Sequence, residues 1–137
     1  MSRIDFVVCG RAIPQGGLRI IPLPDGKRIL APNNSAKLNP WRKKVREAAK
    51  AAMRDAAWEM FGPEIPLCAQ LQFCFLRPKS TDRRFPTVKP DIDKLERAIL
   101  DSLTGIVWTD DAQVVRVTKA KHYGEFQRVE IRVERMG

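Results

Sequence analysis

The sequence predicts a small α+β protein in which a mixed β-sheet packs with two main helices. Apolar and polar residues alternate over 67–76, and apolar residues recur at helical spacing over 40–58 and again after residue 93. With 137 residues, the chain is long enough for one hydrophobic core and too short for two independent ones. We therefore predict one domain over residues 1–137, with one active site per chain at most.

Three strands near the ends of the chain are predicted from their apolar residues. The first covers 4–10, and two closing strands cover 114–123 and 126–135. Gly124 and Glu125 stand between the closing strands, which predicts that these two strands form a hairpin.

The first helix is predicted over 40–58, because Asn39 and Pro40 resemble an N-cap followed by a proline at the first helical position. Its apolar stripe consists of Val45, Ala48, Ala49, Ala52, Met53 and Ala56. The preceding residues, 11–38, are rich in Pro, Gly and Asn and are predicted to be mostly loop, with short apolar runs.

A central strand is predicted over 67–76, and a long basic loop follows it. One face of the strand, expected to pack against a helix, carries Leu67, Ala69, Leu71, Phe73 and Phe75. The loop over 77–90 contains three prolines and is too polar for the core. A loop of this length is typically functional.

The second helix is predicted to begin at Asp93 as its N-cap, with Glu96 completing a capping box, and to end at Gly105. Pro90 biases Lys89 toward an extended conformation before the helix. The stripe expected to pack on the sheet consists of Leu95, Ala98, Ile99, Ser102 and Leu103.

The charge balance indicates a polyanionic partner. Lys and Arg number 25 against 16 Asp and Glu, which gives a formal charge of +9 and a pI near 9.9. Nucleic acid fits this balance, and an anionic membrane surface is the rival. No apolar run approaches the ~20 residues of a membrane span, and the first residues, MSRIDFVV, lack the pattern of a signal peptide. We therefore expect a cytoplasmic protein without a membrane partner.

Three cysteines, Cys9, Cys68 and Cys74, are odd in number and lie in hydrophobic contexts. Neither a disulfide framework nor a paired zinc motif fits this pattern. They are predicted to be small buried thiols.

Two aspartates precede the second helix inside a basic stretch. In an extended approach, Asp91 and Asp93 point to the same side, so we expect their carboxylates to converge at the N-terminus of the helix. Capping explains Asp93 but leaves Asp91 unexplained. Two carboxylates held together repel each other, and a bound divalent cation relieves that repulsion.

A second pair, Asp110 and Asp111, follows residues 106–108, which look like a short buried strand. A turn at the edge of a strand is one explanation for this pair. The other is that the chain returns along the helix and brings Asp111 beside Asp91 and Asp93. Three carboxylates in basic surroundings are typical of a Mg²⁺ site that acts on phosphodiesters.

Asp101 differs from these four aspartates. It lies near the C-terminus of the second helix, where the helix dipole disfavours an anion. An ion pair with Arg97, one turn back, is the favoured explanation for it.

The motif residues as a set resemble the RusA family of Holliday-junction resolvases. The pattern is D-x-D-x-L-x-[KR]-A-x-x-D-x-L, followed after a gap by W-x-D-D-x-Q-V. It is carried here by Asp91, Asp93, Leu95, Arg97, Ala98, Asp101, Leu103, Trp108, Asp110, Asp111, Gln113 and Val114. Outside 91–115 the resemblance is weaker and extends to the length and the order of the elements.

The resemblance implies a homodimeric endodeoxyribonuclease that uses Mg²⁺ to resolve four-way junctions and similar branched DNA by paired nicks, in recombination and repair. By position, Asp91, Asp93 and Asp111 are the implied metal-binding acids. Arg97 stands where the family usually has a lysine; it keeps the charge but does not donate a proton near neutral pH. Lys94 stands where the family often has Asn, so it either contacts a phosphate or weakens cation binding.

Basic residues elsewhere predict a DNA-binding surface. Those spaced by four along the first helix are Arg42, Arg46, Lys50 and Arg54. This spacing suits contact with a phosphate backbone, and it suits a solvated helix face equally well. The long loop adds Arg77, Lys79, Arg83, Arg84 and Lys89. Because the loop leads directly into Asp91, we predict that its basic residues face DNA.

Two further functions remain open from the sequence alone. One is a basic DNA-binding module without catalysis, whose aspartates only cap a helix and shape turns. The other is a nuclease that prefers flaps or other branched DNA, because the motif does not encode a preference for one branched structure.

Overall fold

The computed structural model of the protein describes residues 3–32 and 34–137. Six strands, two helices and one short 3-10 turn follow one another in these residues. In chain order they are β1 (Arg3–Cys9), β2 (Leu18–Pro22), β3 (Arg28–Pro32), α1 (Ser35–Asp55), β4 (Leu67–Phe75), α2 (Ile92–Leu103), the 3-10 turn (Asp111–Gln113), β5 (Val114–Tyr123) and β6 (Arg128–Arg135).

The main sheet has four strands in the order β1-β6-β4-β5. Strand β6 pairs antiparallel with both β1 and β4, whereas β4 and β5 are parallel. A mixed sheet with two helices confirms the predicted fold class. The predicted hairpin of β5 and β6 is wrong, because β4 lies between these two strands.

Helix α2 connects the parallel strands β4 and β5, as parallel pairing requires. Strand β4 runs up to Phe75, α2 runs back down, and β5 runs up again in register from Val114 beside Leu67 to Tyr123 beside Phe75. The two ends of α2 therefore lie at opposite ends of the sheet.

The segment between α2 and β5 turns at the lower end of this connection. Residues 106–108 form a turn with isolated bridges from Trp108 to Thr104 and Phe61, not the short strand that was predicted. Val107 and Trp108 are nonetheless buried, as expected of that segment.

Helix α1 begins at Ser35, one turn earlier than predicted, and Pro40 lies inside it. The backbone carbonyl of Asn34 accepts hydrogen bonds from the N–H groups of Lys37 and Leu38, which closes the first turn. Leu38 is fully buried, so packing of this turn offsets the hydrogen bond that Pro40 cannot donate. The helix ends at Asp55, and Ala57 adopts a left-handed conformation just beyond it.

The apolar stripe of α2 is confirmed: all five residues predicted for it are buried. The start of the helix differs from the prediction, because Asp91 is the N-cap and Asp93 lies within the first turn. Gly105 follows the C-cap Thr104 with a φ of 85°, so the predicted glycine at the end of the helix is confirmed.

The helices cover one face of the sheet. The buried strand residues on that face are Ile4, Val8, Leu67, Ala69, Leu71, Phe73, Phe75, Val129, Ile131 and Val133, which include all five predicted for β4. The opposite face carries polar residues such as Asp5, which accepts a hydrogen bond from Arg132 at 2.7 Å. The prediction of buried thiols holds only for Cys74, since Cys68 is half-buried and Cys9 is exposed; all three are free.

The strands β2 and β3 pair with each other as a separate two-stranded sheet, within the segment that was predicted to be mostly loop. Neither helix of the described residues is long and apolar enough to cross a membrane.

Candidate active site

The N-terminus of α2 presents two carboxylates to solvent. Asp91 has an extended backbone (φ −69°, ψ 139°), and its carbonyl oxygen accepts a hydrogen bond from the N–H of Leu95 at 3.1 Å. Its side chain makes no capping hydrogen bond. Asp91 and Asp93 are both exposed, so neither carboxylate is used to hold the helix.

Lys94 forms an ion pair with Asp91, the first residue of this pair. Its Nζ lies 3.4 Å from Oδ2 of Asp91, and both side chains are about half exposed. An ion pair of this kind contributes little to stability. Because the ammonium of Lys94 lies against the carboxylate of Asp91, it competes with a metal ion for that carboxylate.

A shallow pocket beside Asp91 has a basic lining. Its residues are Arg11, Pro14, Lys89, Pro90, Asp91 and Lys94. The segment that brings Arg11 to this place is attached to α2, since the N–H of Gln15 donates to the carbonyl of Lys94 at 2.9 Å. Arg11 was not predicted as a site residue, because no local pattern in the sequence places the residues after β1 against α2.

The basic loop before Asp91 is tied to the upper end of β5. Lys121 Nζ donates to the carbonyl oxygens of Val88 and Pro90, at 2.8 Å each. Arg83 Nη1 donates to the hydroxyl of Tyr123 at 3.2 Å. Neither Lys121 nor Tyr123 was predicted to contact the loop. The alternation of residues along β5 could have indicated that both side chains lie on the same side of the strand.

The lower end of α2 holds the second aspartate pair in a different way. Asp110 caps the 3-10 turn, and its Oδ1 accepts a hydrogen bond from the N–H of Ala112 at 2.9 Å. Gln113 completes a capping box here, so the capping box predicted at Asp93 occurs instead at Asp110. Asp111 is exposed and begins the turn.

Gln113 is buried and hydrogen-bonded at both ends of its amide. Its Oε1 accepts from the N–H groups of Thr109 and Asp110, at 2.9 and 3.0 Å. Its Nε2 donates to the carbonyls of Gly62 and Ile65, at 2.8 and 2.9 Å. Gln113 therefore holds together two chain segments, and the motif residue has a structural explanation.

The two aspartate pairs do not meet within one chain. Helix α2 has 12 residues, which span about 18 Å at 1.5 Å per residue, and Asp91 and Asp111 lie near its opposite ends. Within residues 3–32 and 34–137, no group of three His, Cys, Asp or Glu side chains is placed to hold a metal ion. The expectation that the chain returns to place Asp111 beside Asp91 is corrected: residues 106–110 stay at the lower end, and β5 makes the return.

Arg97 is exposed on α2, one turn after Asp93. Among the ion pairs of the described residues, none joins Arg97 to Asp101, so the pairing that was favoured for Asp101 is not formed. The guanidinium of Arg97 is accordingly available to a ligand near the N-terminal half of α2.

Comparison with known proteins supplies the decisive observation. A family model described as "Endodeoxyribonuclease RusA" matches residues 25–134, which include β3, both helices and both aspartate pairs. The chain belongs to the RusA family. The family's description names an endodeoxyribonuclease, an enzyme that hydrolyses phosphodiester bonds of DNA.

A curated relative is less informative. The "Uncharacterized protein YqaN" of Bacillus subtilis (strain 168) is 40% identical over 48 residues, which are 35% of this chain and 34% of that protein. The match to this relative covers about a third of its length.

The basic stripe of α1 divides into two parts in this RusA-family fold. Arg42 and Arg46 are partly buried, and Arg46 Nε donates to the carbonyl of Ser102 in α2 at 3.3 Å. Lys50 and Arg54 are exposed. Arg46 thus joins the two helices, and the free cations of the stripe lie in its second half.

The upper end of α2 suits a hard divalent cation. RusA-family nucleases generally depend on a divalent metal. Mg²⁺ prefers oxygen ligands, keeps several waters, and is commonly bound by one or two carboxylates together with substrate phosphates. Asp91 and Asp93 supply two exposed carboxylates that make no capping hydrogen bond. Arg11 and Lys89 lie beside Asp91, where their positive charges suit substrate phosphates.

Proposed function

We propose that this protein is a Mg²⁺-dependent endonuclease that resolves Holliday junctions by paired nicks, in DNA recombination and repair. The observation that carries the proposal is the pair Asp91 and Asp93, exposed and uncapped at the N-terminus of α2 in a member of the RusA family. Because neither aspartate caps the helix through its side chain, both carboxylates are available to bind a metal ion.

In this proposal Asp91 and Asp93 hold the metal ion, which supplies Lewis acidity and an activated water when it is bound. The two carboxylates would bind the ion at the N-terminus of α2. Arg11 and Lys89 bind the phosphates that flank the cleaved bond, because both line the pocket that contains Asp91. Their charges offset the repulsion between the acidic pair and DNA.

Arg97 is proposed to stabilise charge on the phosphate. It lies on the same exposed side of α2 as Asp93, four residues later, and a guanidinium can donate two hydrogen bonds to phosphate oxygens. This role requires a positive charge and no proton transfer.

The third carboxylate of the proposed site, Asp111, comes from a second copy of the chain. One chain separates Asp111 from Asp91 by the length of α2, so a third acid from the motif reaches the first two only across an interface. A homodimer with two-fold symmetry then has two equal sites, one for each nicked strand.

The proposed DNA surface includes the basic loop beside this site and, toward the lower end of the sheet, the second half of α1. Exposed cations there are Lys50, Arg54, Arg77, Lys79, Arg84 and Lys89. Arg83 and Arg42 are partly buried and contribute charge from behind this surface. Phosphate contacts release counterions, so log affinity falls with log salt by about 0.9 per contact on duplex DNA. Affinity that hardly changed with salt would remove these residues from the interface.

The test is cleavage of a synthetic four-way junction with Mg²⁺ and with EDTA. A linear duplex and a 5′ flap of the same sequence serve as controls for structure preference. Paired nicks in the junction that require Mg²⁺ are expected. Tight junction binding without cleavage in any metal favours the DNA-binding module, and faster cleavage of the flap favours a flap nuclease.

A further inference from the structure

The segment between β4 and α2, residues 76–91, has no regular secondary structure, although it ends at Asp91. Such a segment needs external contacts to hold a fixed position. Two side chains of β5 provide them: Tyr123 accepts a hydrogen bond from Arg83, and Lys121 donates to Val88 and Pro90.

The contact of Lys121 with Pro90 bears directly on Asp91. The carbonyl of Pro90 belongs to the planar peptide group that also contains the N–H of Asp91. A hydrogen bond of 2.8 Å to this oxygen therefore fixes the orientation of the plane from which Asp91 starts. Pro90 has no N–H of its own, so the loop has one donor fewer with which to hold itself.

Lys121 is itself well placed for this task. It lies within the parallel pairing, two residues from the upper end of β5, opposite Phe73 of β4, and Phe73 is fully buried. Its ammonium has three donors, and two of them are used on the loop carbonyls. A lysine with these partners is committed to the protein more than to a DNA phosphate.

We propose that Lys121 is a positioning residue for Asp91, acting through the Pro90–Asp91 peptide. This inference rests on the proposed role of Asp91 in metal binding. Mg²⁺ requires nearly ideal octahedral geometry, so a carboxylate whose backbone is free to rotate binds it more weakly. Groups that orient a metal ligand typically change metal affinity by about 10- to 100-fold when they are removed.

The experiment compares Lys121→Met with wild type in two measurements. The first is amide hydrogen exchange over residues 88–93 without metal, which we expect to be faster in the variant. The second is the Mg²⁺ midpoint, followed by the amide resonances of Asp91 and Asp93 and by junction cleavage. We expect the midpoint to rise about 10-fold or more, with the cleavage rate recovering at saturating Mg²⁺.

Arg116→Met is the matched control. It removes the same charge from the same strand, and Arg116 is exposed and makes no side-chain hydrogen bond or ion pair with any residue that the structure describes. Its exchange and midpoint should equal those of wild type. Lys121→Gln, which keeps a shorter uncharged donor, carries the same expectation as Lys121→Met if the methionine variant does not fold.

An unchanged Mg²⁺ midpoint in the lysine variants overturns the proposal, whether or not the loop exchanges faster. An equal rise in Arg116→Met also overturns it, because the effect then does not depend on the hydrogen bonds that Lys121 donates to the loop. Wild-type protein that neither binds Mg²⁺ nor cleaves junctions refutes the proposed function instead. That failure is recognised separately, because it appears in wild type and the exchange measurement needs no metal.

Discussion

The two ends of α2 carry the same residue type for different purposes. At the upper end, Asp91 and Asp93 are exposed, and neither side chain caps the helix. At the lower end, Asp110 caps a 3-10 turn, and Gln113 locks that turn to the segment before β4. Neither carboxylate of the upper pair caps a helix, whereas one carboxylate of the lower pair, that of Asp110, caps the 3-10 turn.

This difference separates residues of one motif by what they do. The pattern W-x-D-D-x-Q-V contains residues that form the hydrogen bonds of the turn, Asp110 and Gln113, and one that is only exposed by it, Asp111. Substitution of the exposed residues Asp91, Asp93 and Asp111 should therefore lower activity and leave stability nearly unchanged, and substitution of the buried Gln113 should do the opposite.

The largest effect is expected at the upper end. Asp91→Asn and Asp93→Asn should each abolish junction cleavage and leave junction binding intact or tighter, because each removes a proposed metal ligand and a negative charge facing DNA. The free energy of unfolding should change by less than about 1 kcal/mol, since the one ion pair lost is at the surface. Cleavage at the wild-type rate by either variant would disprove the site.

A mixture of two inactive variants tests whether Asp111 comes from a second copy. Asp111→Asn alone should abolish cleavage. When Asp91→Asn and Asp111→Asn chains are refolded together, each mixed dimer has one site free of both substitutions, so about a quarter of all sites recover. Nicking should return while paired cutting does not. No recovery in a mixture shown to contain mixed dimers would contradict the shared site.

Arg97 is the next test, because it is the cation available near the free pair. Arg97→Ala should lower the single-turnover cleavage rate by roughly 10²- to 10³-fold, as expected when one electrostatic stabiliser is removed. Arg97→Lys should retain most of the activity. A new alkaline limb in the pH profile of Arg97→Lys would instead indicate proton transfer at this position.

Gln113→Ala should affect stability and not chemistry. It removes the partners of two backbone N–H groups and two carbonyls in a buried place, so we expect the free energy of unfolding to fall by about 3 kcal/mol. Asp111→Asn, two residues away and exposed, should change it by less than about 0.5 kcal/mol. Denaturant unfolding of both variants measures the contrast, and equal losses would refute it.

The smallest effect is expected for Lys94. Lys94→Asn removes the ammonium that lies 3.4 Å from Asp91, so Mg²⁺ meets less competition and its midpoint for cleavage should fall by up to about 5-fold. Lys43→Asn, which removes an exposed lysine of α1 paired with Glu47, is the control for lost charge. A higher midpoint in Lys94→Asn would show that Lys94 serves the phosphate instead.

Local patterns predicted the parts of the fold that depend on local order. The alternation over 67–76 identified β4, and helical spacing identified the buried stripe of α2 from Leu95 to Leu103. The start of α1 was misjudged because burial of Leu38 outweighs the preference of Pro40 for the first turn. The hairpin of β5 and β6 was misjudged because nothing near Gly124 reveals that β4 lies between them.

The candidate site was predictable in its residue types but not in its arrangement. Residues 105–110 are long enough to run back along α2, which is why Asp111 was expected beside Asp91. They do not run in that direction, because β5 pairs parallel with β4 and must start at the lower end of the sheet. Arg11 comes to the site from the segment after β1, 80 residues before Asp91, and Lys121 comes from β5, 30 residues after Asp91. Contacts of this kind depend on tertiary packing, which no short window of sequence contains.

The position of β6 determines when this protein can fold. β6, one of the two interior strands of the main sheet, is the last strand of residues 3–32 and 34–137, and within these residues it alone pairs with β1, with Arg3 opposite Glu134. β1 therefore pairs with a strand that follows all the other strands of the sheet, and closing so long a loop slows folding. Until β6 joins the sheet, the edges of β1 and β4 that face it carry backbone N–H and C=O groups without a partner strand.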